Sequence, residues 1–196
     1  MIINKLYFIL VLSILLTACE SAVETSKDSS EGVNTSNAEA VKASSILRIP
    51  DEIIEEDGVR VGLHVYDRFR HYLKADNDTT YVVNFWATWC KPCVEELHHF
   101  EELYQNYKDK KVRLILVSLD FEDKIKSNLI PYIIKNDLKG EVIVLRQKSM
   151  NTWIDQIDPS WSGALPATII YNKNKRAFYE QSFDYKQLET ALQEIL

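Results

Sequence analysis

Tyr81-Val82-Val83-Asn84-Phe85-Trp86-Ala87-Thr88-Trp89-Cys90-Lys91-Pro92-Cys93 joins an apolar run to a pair of cysteines. The run Tyr81 to Trp86 reads as a buried strand. The residues after Cys93 have helical periodicity. Leu97, Phe100, Tyr104 and Tyr107 share one face, and Glu95, Glu96, Glu101, Glu102 and Lys108 fall largely on the other. Cys90 and Cys93 therefore sit where a strand ends and a helix begins.

That position has chemical consequences. The first helical turn carries unpaired N–H groups and the positive end of the helix dipole, which together stabilise a thiolate. Cys90 is expected to ionise below the free-thiol value of roughly 8.5, with Lys91 adding a neighbouring positive charge. Cys93 lies three residues on, so the two sulfurs meet on one turn. Pro92 suits a first turn, where its missing N–H would have been unpaired anyway. Such a pair can close and reopen a disulfide, one thiolate attacking and the other resolving the mixed disulfide.

The segment Asn84 to Cys93 resembles the active site of the thioredoxin superfamily and, more narrowly, of the membrane-anchored TlpA-like thiol-disulfide oxidoreductases. The family pattern Trp-Cys-x-Pro-Cys-x-x-Glu is matched by Trp89, Cys90, Pro92, Cys93 and Glu96. The resemblance covers about Ile46 to Leu196. It implies an α/β, thioredoxin-like fold: a central mixed β-sheet flanked by helices, with a TlpA-like N-terminal extension and a central helix-strand insertion. It also implies Cys90 as exposed nucleophile, Cys93 as resolving cysteine and Glu96 as a group that moves protons to and from the pair. Lys91 and Pro92 would tune the redox poise, with Lys91 favouring the reduced form. Pro166 stands where the family has a cis proline, and Leu165 before it would offer its backbone to an extended substrate. Trp89 would lie beside the disulfide as a contact surface, whereas Trp86 reads as core. Asn84 departs from thioredoxins proper, which carry a buried Asp there. An amide does not ionise, so proton handling shifts towards Glu96.

The N-terminus carries a different message. Lys5 is the only charge in Met1 to Ala18, and Leu6 to Leu16 is almost wholly apolar, too short for comfortable membrane crossing. Leu16-Thr17-Ala18-Cys19 resembles a bacterial lipoprotein signal, which implies cleavage before Cys19 and acylation of its sulfur; the bland alternative is an ordinary secretory signal. The chain has three cysteines. Assigning Cys19 to lipid leaves Cys90 and Cys93 as a pair. Glu20 to Ser45 is polar, lacks aromatic residues and reads as a flexible tether. The expected organisation is thus a signal at 1–18, a tether at 19–45 and a thioredoxin-like domain at 46–196.

Within the domain, strands are expected at Val59–Tyr66, Tyr81–Trp86, Val112–Leu119, Glu141–Leu145, Ala167–Tyr171 and Arg176–Tyr179. Short helices are expected at Asp67–Ala75 and Ser149–Ile157. A longer helix over Asp123–Asn136 would be bent or broken at Pro131. A closing helix over Tyr185–Leu196 would bury Leu188, Leu192 and Leu196. Trp153 and Trp161 read as packing residues, the latter near enough to Pro166 to border the active site.

Composition narrows the function. A net charge of −6 leaves no electrostatic footprint for nucleic acid. One Cys pair falls short of the four ligands of a structural zinc site. Val94 stands where haem attachment would want His. Adjacent His98 and His99 point to different helix faces and make no i, i+4 pair, so they read as ordinary imidazoles; His64 and His71 carry no signal. A peroxiredoxin-type peroxidase or a copper chaperone would frame its cysteines differently. No metal or cofactor is expected. The expected function is a lipid-anchored oxidoreductase of the cell envelope that reduces exported thiol/disulfide client proteins, including those of cytochrome c maturation. The resemblance implies recharging by a membrane electron-transfer protein of the CcdA or DsbD type. A disulfide oxidase or isomerase is the alternative, and a redox-silent binding lipoprotein is third.

Overall fold

The computed structural model describes residues 48–146 and 152–196. The described residues all lie in one compact unit. The expected signal, Cys19 and the tether lie outside the described residues, as do 46–47 and 149–151.

The described chain opens with a hairpin, β1 (Glu52–Glu56) and β2 (Val59–His64). Its two-residue turn is Asp57-Gly58, with φ of 50° and 78°. Both values are positive, which such a turn requires and Gly adopts without strain. β1 was not expected from sequence. Its residues are mostly charged, and it forms the outer edge of the sheet, where acidic side chains discourage pairing with other chains. The strand expected at Val59–Tyr66 ends at His64, because Tyr66 already starts α1 (Tyr66–Phe69), continued as a 3-10 turn over Arg70–Leu73.

Next come β3 (Thr80–Trp86), α2 (Lys91–Tyr107) and β4 (Val112–Ser118). The segment around Pro131 is a 3-10 turn (Glu122–Lys124), a π-helical turn (Ile125–Leu129) and α3 (Ile130–Asn136). Pro131 stands in the first turn of α3, directly after the widened turn. It lacks an N–H, and the π turn accommodates that missing bond as a local irregularity. β5 (Glu141–Leu145), α4 (Ile154–Ile157), β6 (Ala167–Tyr171), β7 (Arg176–Tyr179) and α5 (Tyr185–Ile195) complete the domain.

The strands form one mixed sheet in the order β1-β2-β5-β4-β3-β6-β7. β3 is an interior strand, buried along its whole length, parallel to β4 and antiparallel to β6. Alternate strand residues feed two apolar layers. Val82, Leu114, Leu116 and Ile170 pack with α2, α3 and α5, while Val83, Phe85, Ile115 and Ile169 pack with Phe69, Trp153 and Trp161 on the other face. This is the α/β, thioredoxin-like arrangement, with the N-terminal hairpin docked through β2 onto the inserted strand β5.

Two helix faces differ from expectation. In α5 the buried residues are Leu188, Ala191, Leu192 and Ile195, whereas Leu196 is 54% exposed. A spacing of eight residues drifts about 80° around a helix of 3.6 residues per turn, so Ile195 rather than Leu196 meets the core. In α2 the buried stripe is Cys93, Glu96, Leu97, Phe100, Leu103 and Tyr107. Glu96, which the periodicity put largely on the face opposite Leu97 and Phe100, is inside.

Candidate functional site

β3 delivers the chain to the C-terminal edge of the sheet, and α2 starts after four intervening residues. Cys90 is the N-cap residue of α2, in extended conformation, and Lys91, Pro92 and Cys93 form its first turn. Cys90 and Cys93 are joined in a disulfide, with S–S 2.03 Å and Cα–Cα 5.3 Å. Cys90 retains 6% exposure and Cys93 none. The order of accessibility matches the expected roles, but Cys90 is far less open than "exposed" implies. Lys91 extends into solvent and meets Glu95 at 3.6 Å. Its charge is therefore shared with a carboxylate as well as available to Cys90.

The loop before Cys90 is held from below. Asp120, buried just after β4, accepts from the backbone N–H of Thr88 at 3.1 and 3.3 Å and from the Thr88 hydroxyl at 2.5 Å. Ser118 donates to the same carboxylate at 2.8 Å. Leu119 N–H donates to the Trp86 carbonyl at 2.8 Å, extending the ladder beyond the two strands. Sequence reasoning missed Asp120, because Thr88, the residue it holds at the site, is 32 residues away in sequence. Trp86 is buried as expected, and Trp89 is 56% exposed.

The second wall of the site is the segment before β6. The Leu165–Pro166 bond is cis. Phe85 pairs with Ala167, so the next step of the register sets Pro166 beside the end of β3. Leu165 packs against the cluster that contains both cysteines. Glu180 holds this segment, accepting from the N–H groups of Ser162 and Ala164 at 3.1 Å each and from the Ser162 hydroxyl. Trp161 is core, as expected, and donates its indole N–H to the Ala164 carbonyl at 2.8 Å.

Beneath the disulfide lies a polar cluster within the apolar layer. Glu96, one turn after Cys93 on the same buried stripe, is 3% exposed. Asn84 donates its amide to Glu96 Oε1 at 3.2 Å and to Thr168 Oγ1 at 3.1 Å. Phe183 N–H donates to Glu96 Oε2 at 2.7 Å. That N–H is placed by the capping box of α5, in which Asp184 and Gln187 bond reciprocally at 2.8 and 3.1 Å. Burial pushes the Glu96 carboxyl up to about 7, against the opposing pull of the Phe183 and Asn84 bonds. A carboxyl near 7 can both take and give a proton at neutral pH. Asn84, read from sequence as a lost ionisable group, is instead a donor to the one that remains.

His98 is exposed and His99 half-buried, and their ring centroids lie 3.8 Å apart. Among the described residues no group of three or more His, Cys, Asp or Glu side chains is placed to hold a metal ion.

The AhpC/TSA family model matches residues 69–177, from α1 to β7. The chain belongs to the AhpC/TSA family, within the thioredoxin superfamily. Thiol-disulfide oxidoreductase ResA of Oceanobacillus iheyensis is 38% identical over 66 residues, covering 31% of this chain and 34% of that protein. The protein of the same name from Bacillus cereus strain ZK is 32% identical over 118 residues, covering 58% and 61%. The matched part thus spans less than two thirds of either relative. A solved DsbF homologue from Corynebacterium diphtheriae superposes with a TM-score of 0.51 at 20% identity, covering 61% of this chain and 73% of that one. That likeness supports the fold. Among the described residues no helix is long and apolar enough to cross a membrane.

Proposed function

We propose that this protein is a thiol-disulfide oxidoreductase of the cell envelope that reduces disulfides in exported client proteins. The observation that carries the reading is the Cys90–Cys93 disulfide at the N-terminus of α2, with Cys90 alone retaining exposure. In the reduced protein, the Cys90 thiolate attacks one sulfur of a client disulfide. The client S–S bond breaks, and its other sulfur leaves as a thiolate. Cys93, once deprotonated, attacks Cys90; the mixed disulfide breaks and the second client sulfur leaves. Two electrons pass to the client, and Cys90–Cys93 closes. Glu96 takes the Cys93 proton as the bond forms and returns it when the pair is recharged.

The same reading assigns Leu165 and Trp89 to client contact, Pro166 to packing against the disulfide, and Lys91 and Pro92 to its redox poise. The N-terminal pattern supports export and a lipid anchor at Cys19. The TlpA-like resemblance points to a donor of the CcdA or DsbD type and to cytochrome c maturation as a client pathway. The curated relatives' name, thiol-disulfide oxidoreductase, agrees with the chemistry.

The reduction potential of the pair tests this. The full chain is equilibrated with dithiothreitol or glutathione redox buffers and followed by Trp fluorescence. A potential well below that of glutathione supports a reductase. A potential above it turns the assignment to disulfide donation or isomerisation. No reversible two-electron couple ends the oxidoreductase reading.

A further inference from the structure

Two of the exposed large hydrophobic side chains in the described residues are neighbours beside the disulfide. Trp89 is 56% and Phe121 is 54% exposed. Their rings are stacked, with centroids 6.4 Å apart and planes 29° from parallel. Isolated exposed hydrophobics need no explanation, but a stacked pair at the mouth of a reactive site points to contact with a ligand. The pair is also built. Trp89 follows Thr88 and Phe121 follows Asp120, and the buried Asp120 carboxylate holds the Thr88 N–H and hydroxyl. One anchor therefore fixes both loops. Phe121 is further set by the 3-10 turn it opens, where Lys124 N–H donates to its carbonyl at 2.8 Å.

The charges around the pair are engaged with one another. Lys91 meets Glu95 at 3.6 Å, Lys124 meets Asp123 at 3.2 Å, and Glu122 meets Arg146 at 3.4 Å. The surface that the two rings themselves present to a ligand is aromatic.

We propose that Trp89 and Phe121 form a rest for an apolar or aromatic side chain adjacent to the reacting cysteine of an extended client polypeptide, and that Phe121 thereby sets which clients react fast. The inference rests on the oxidoreductase reading. A mixed disulfide holds the client cysteine on Cys90, and the next client residue has its Cα about 3.8 Å away. One of the two neighbours falls on the Trp89 side, because Trp89 directly precedes Cys90; the other falls towards Leu165. A charged residue on the Trp89 side loses water against two rings and gains no partner. An aromatic one gains stacking and burial.

The test uses the full chain with Cys19→Ser, so that only the Cys90–Cys93 pair responds, reduced and freed of reductant. Two short peptides differ only in the residues on either side of a single cysteine, both Phe in one and both Ser in the other. Each cysteine carries thionitrobenzoate in disulfide linkage. Attack on the peptide sulfur releases the coloured thiolate, and Cys93 then frees the peptide. The expected result is a preference for the Phe peptide of about two- to tenfold, falling to near parity in Phe121→Ser. The rate with the Ser peptide, which sets no large side chain on the rings, is expected to change far less in that variant than the rate with the Phe peptide. The inference is overturned if the parent shows no preference, or if Phe121→Ser keeps it. It is also overturned if the preference fades as protein concentration rises, which would assign the rings to contact between copies of the chain. Absence of reaction even with dithionitrobenzoate removes the oxidoreductase reading and this inference with it.

Discussion

Asn84 Nδ2 lies 3.2 Å from Glu96 Oε1, joining β3 to the active-site helix across the apolar layer. The contact makes a strand amide the partner of a carboxyl that burial holds at about 7. The folded chain thus keeps a proton that the unfolded chain releases near the ordinary carboxylate value of about 4.5. The stability linked to Glu96 is full below about 4.5 and is lost as pH rises through about 7. Unfolding free energies from denaturant titrations across this range, parent minus Glu96→Gln, are expected to fall with rising pH by at most about 3 kcal/mol. A flat difference would remove Glu96 as a titrating group.

Asn84 offers a second handle. Its Oδ1 is buried and has no hydrogen-bond partner, and a half-turn of the amide would present it to a protonated Glu96. In Asn84→Leu the donor that favours ionised Glu96 is gone, so the Glu96 inflection moves to higher pH. In Asn84→Asp two buried carboxyls share the site and titrate in two steps of the pair. Carboxyl infrared bands followed against pH separate the three proteins.

His64 works with the opposite sign. Its ring is buried edge-on to Tyr72, at 5.2 Å between centroids, and neither ring nitrogen has a partner. Burial holds its pKa down, to about 4 from an ordinary 6.5. The folded chain binds fewer protons than the unfolded one between these values. His64 therefore favours the fold above about 6.5 and loses that contribution as pH falls through about 4. His64→Phe is expected to unfold at lower pH than the parent in an acid titration followed by circular dichroism.

Asp120 should matter to both stability and reactivity. Asp120→Ala leaves the Thr88 N–H and the Thr88 and Ser118 hydroxyls without their shared acceptor. The expected cost is about 2 kcal/mol in urea unfolding, together with slower thiol exchange and a more mobile Trp89 by fluorescence anisotropy.

The cysteines should separate by role. Cys93→Ser is expected to accumulate a stable mixed disulfide with a small thiol reagent through Cys90, visible by intact mass. Cys90→Ser should form little, because Cys93 has no exposed surface. Equal adducts in both variants would reverse or abolish the assignment.

Much of this was legible in the chain. β6 and β7 lie where their β-branched and aromatic runs put them, around the polar turn Asn172–Lys175. β1 was not legible, since acidic residues on an edge strand leave no alternation of apolar side chains, although Asp57-Gly58 was a turn signal in plain view. Glu96 was visible as a motif residue, yet its helical neighbours suggested a solvated face. A helix pattern cannot say that β3, β6 and the start of α5 close over that position.

The sequence by itself determined the redox pair, the strand-to-helix junction that holds it and the proline before β6, because each depends on residue type and short spacing. Only the tertiary structure decided what surrounds them. Asn84, Glu96, Thr168 and the Phe183 N–H meet from four separate parts of the chain. Asp120 reaches back to Thr88, and Trp89 finds Phe121. Such contacts follow from strand order and register, which bring distant residues together in a low-dielectric interior where a proton's position is set by every neighbour at once.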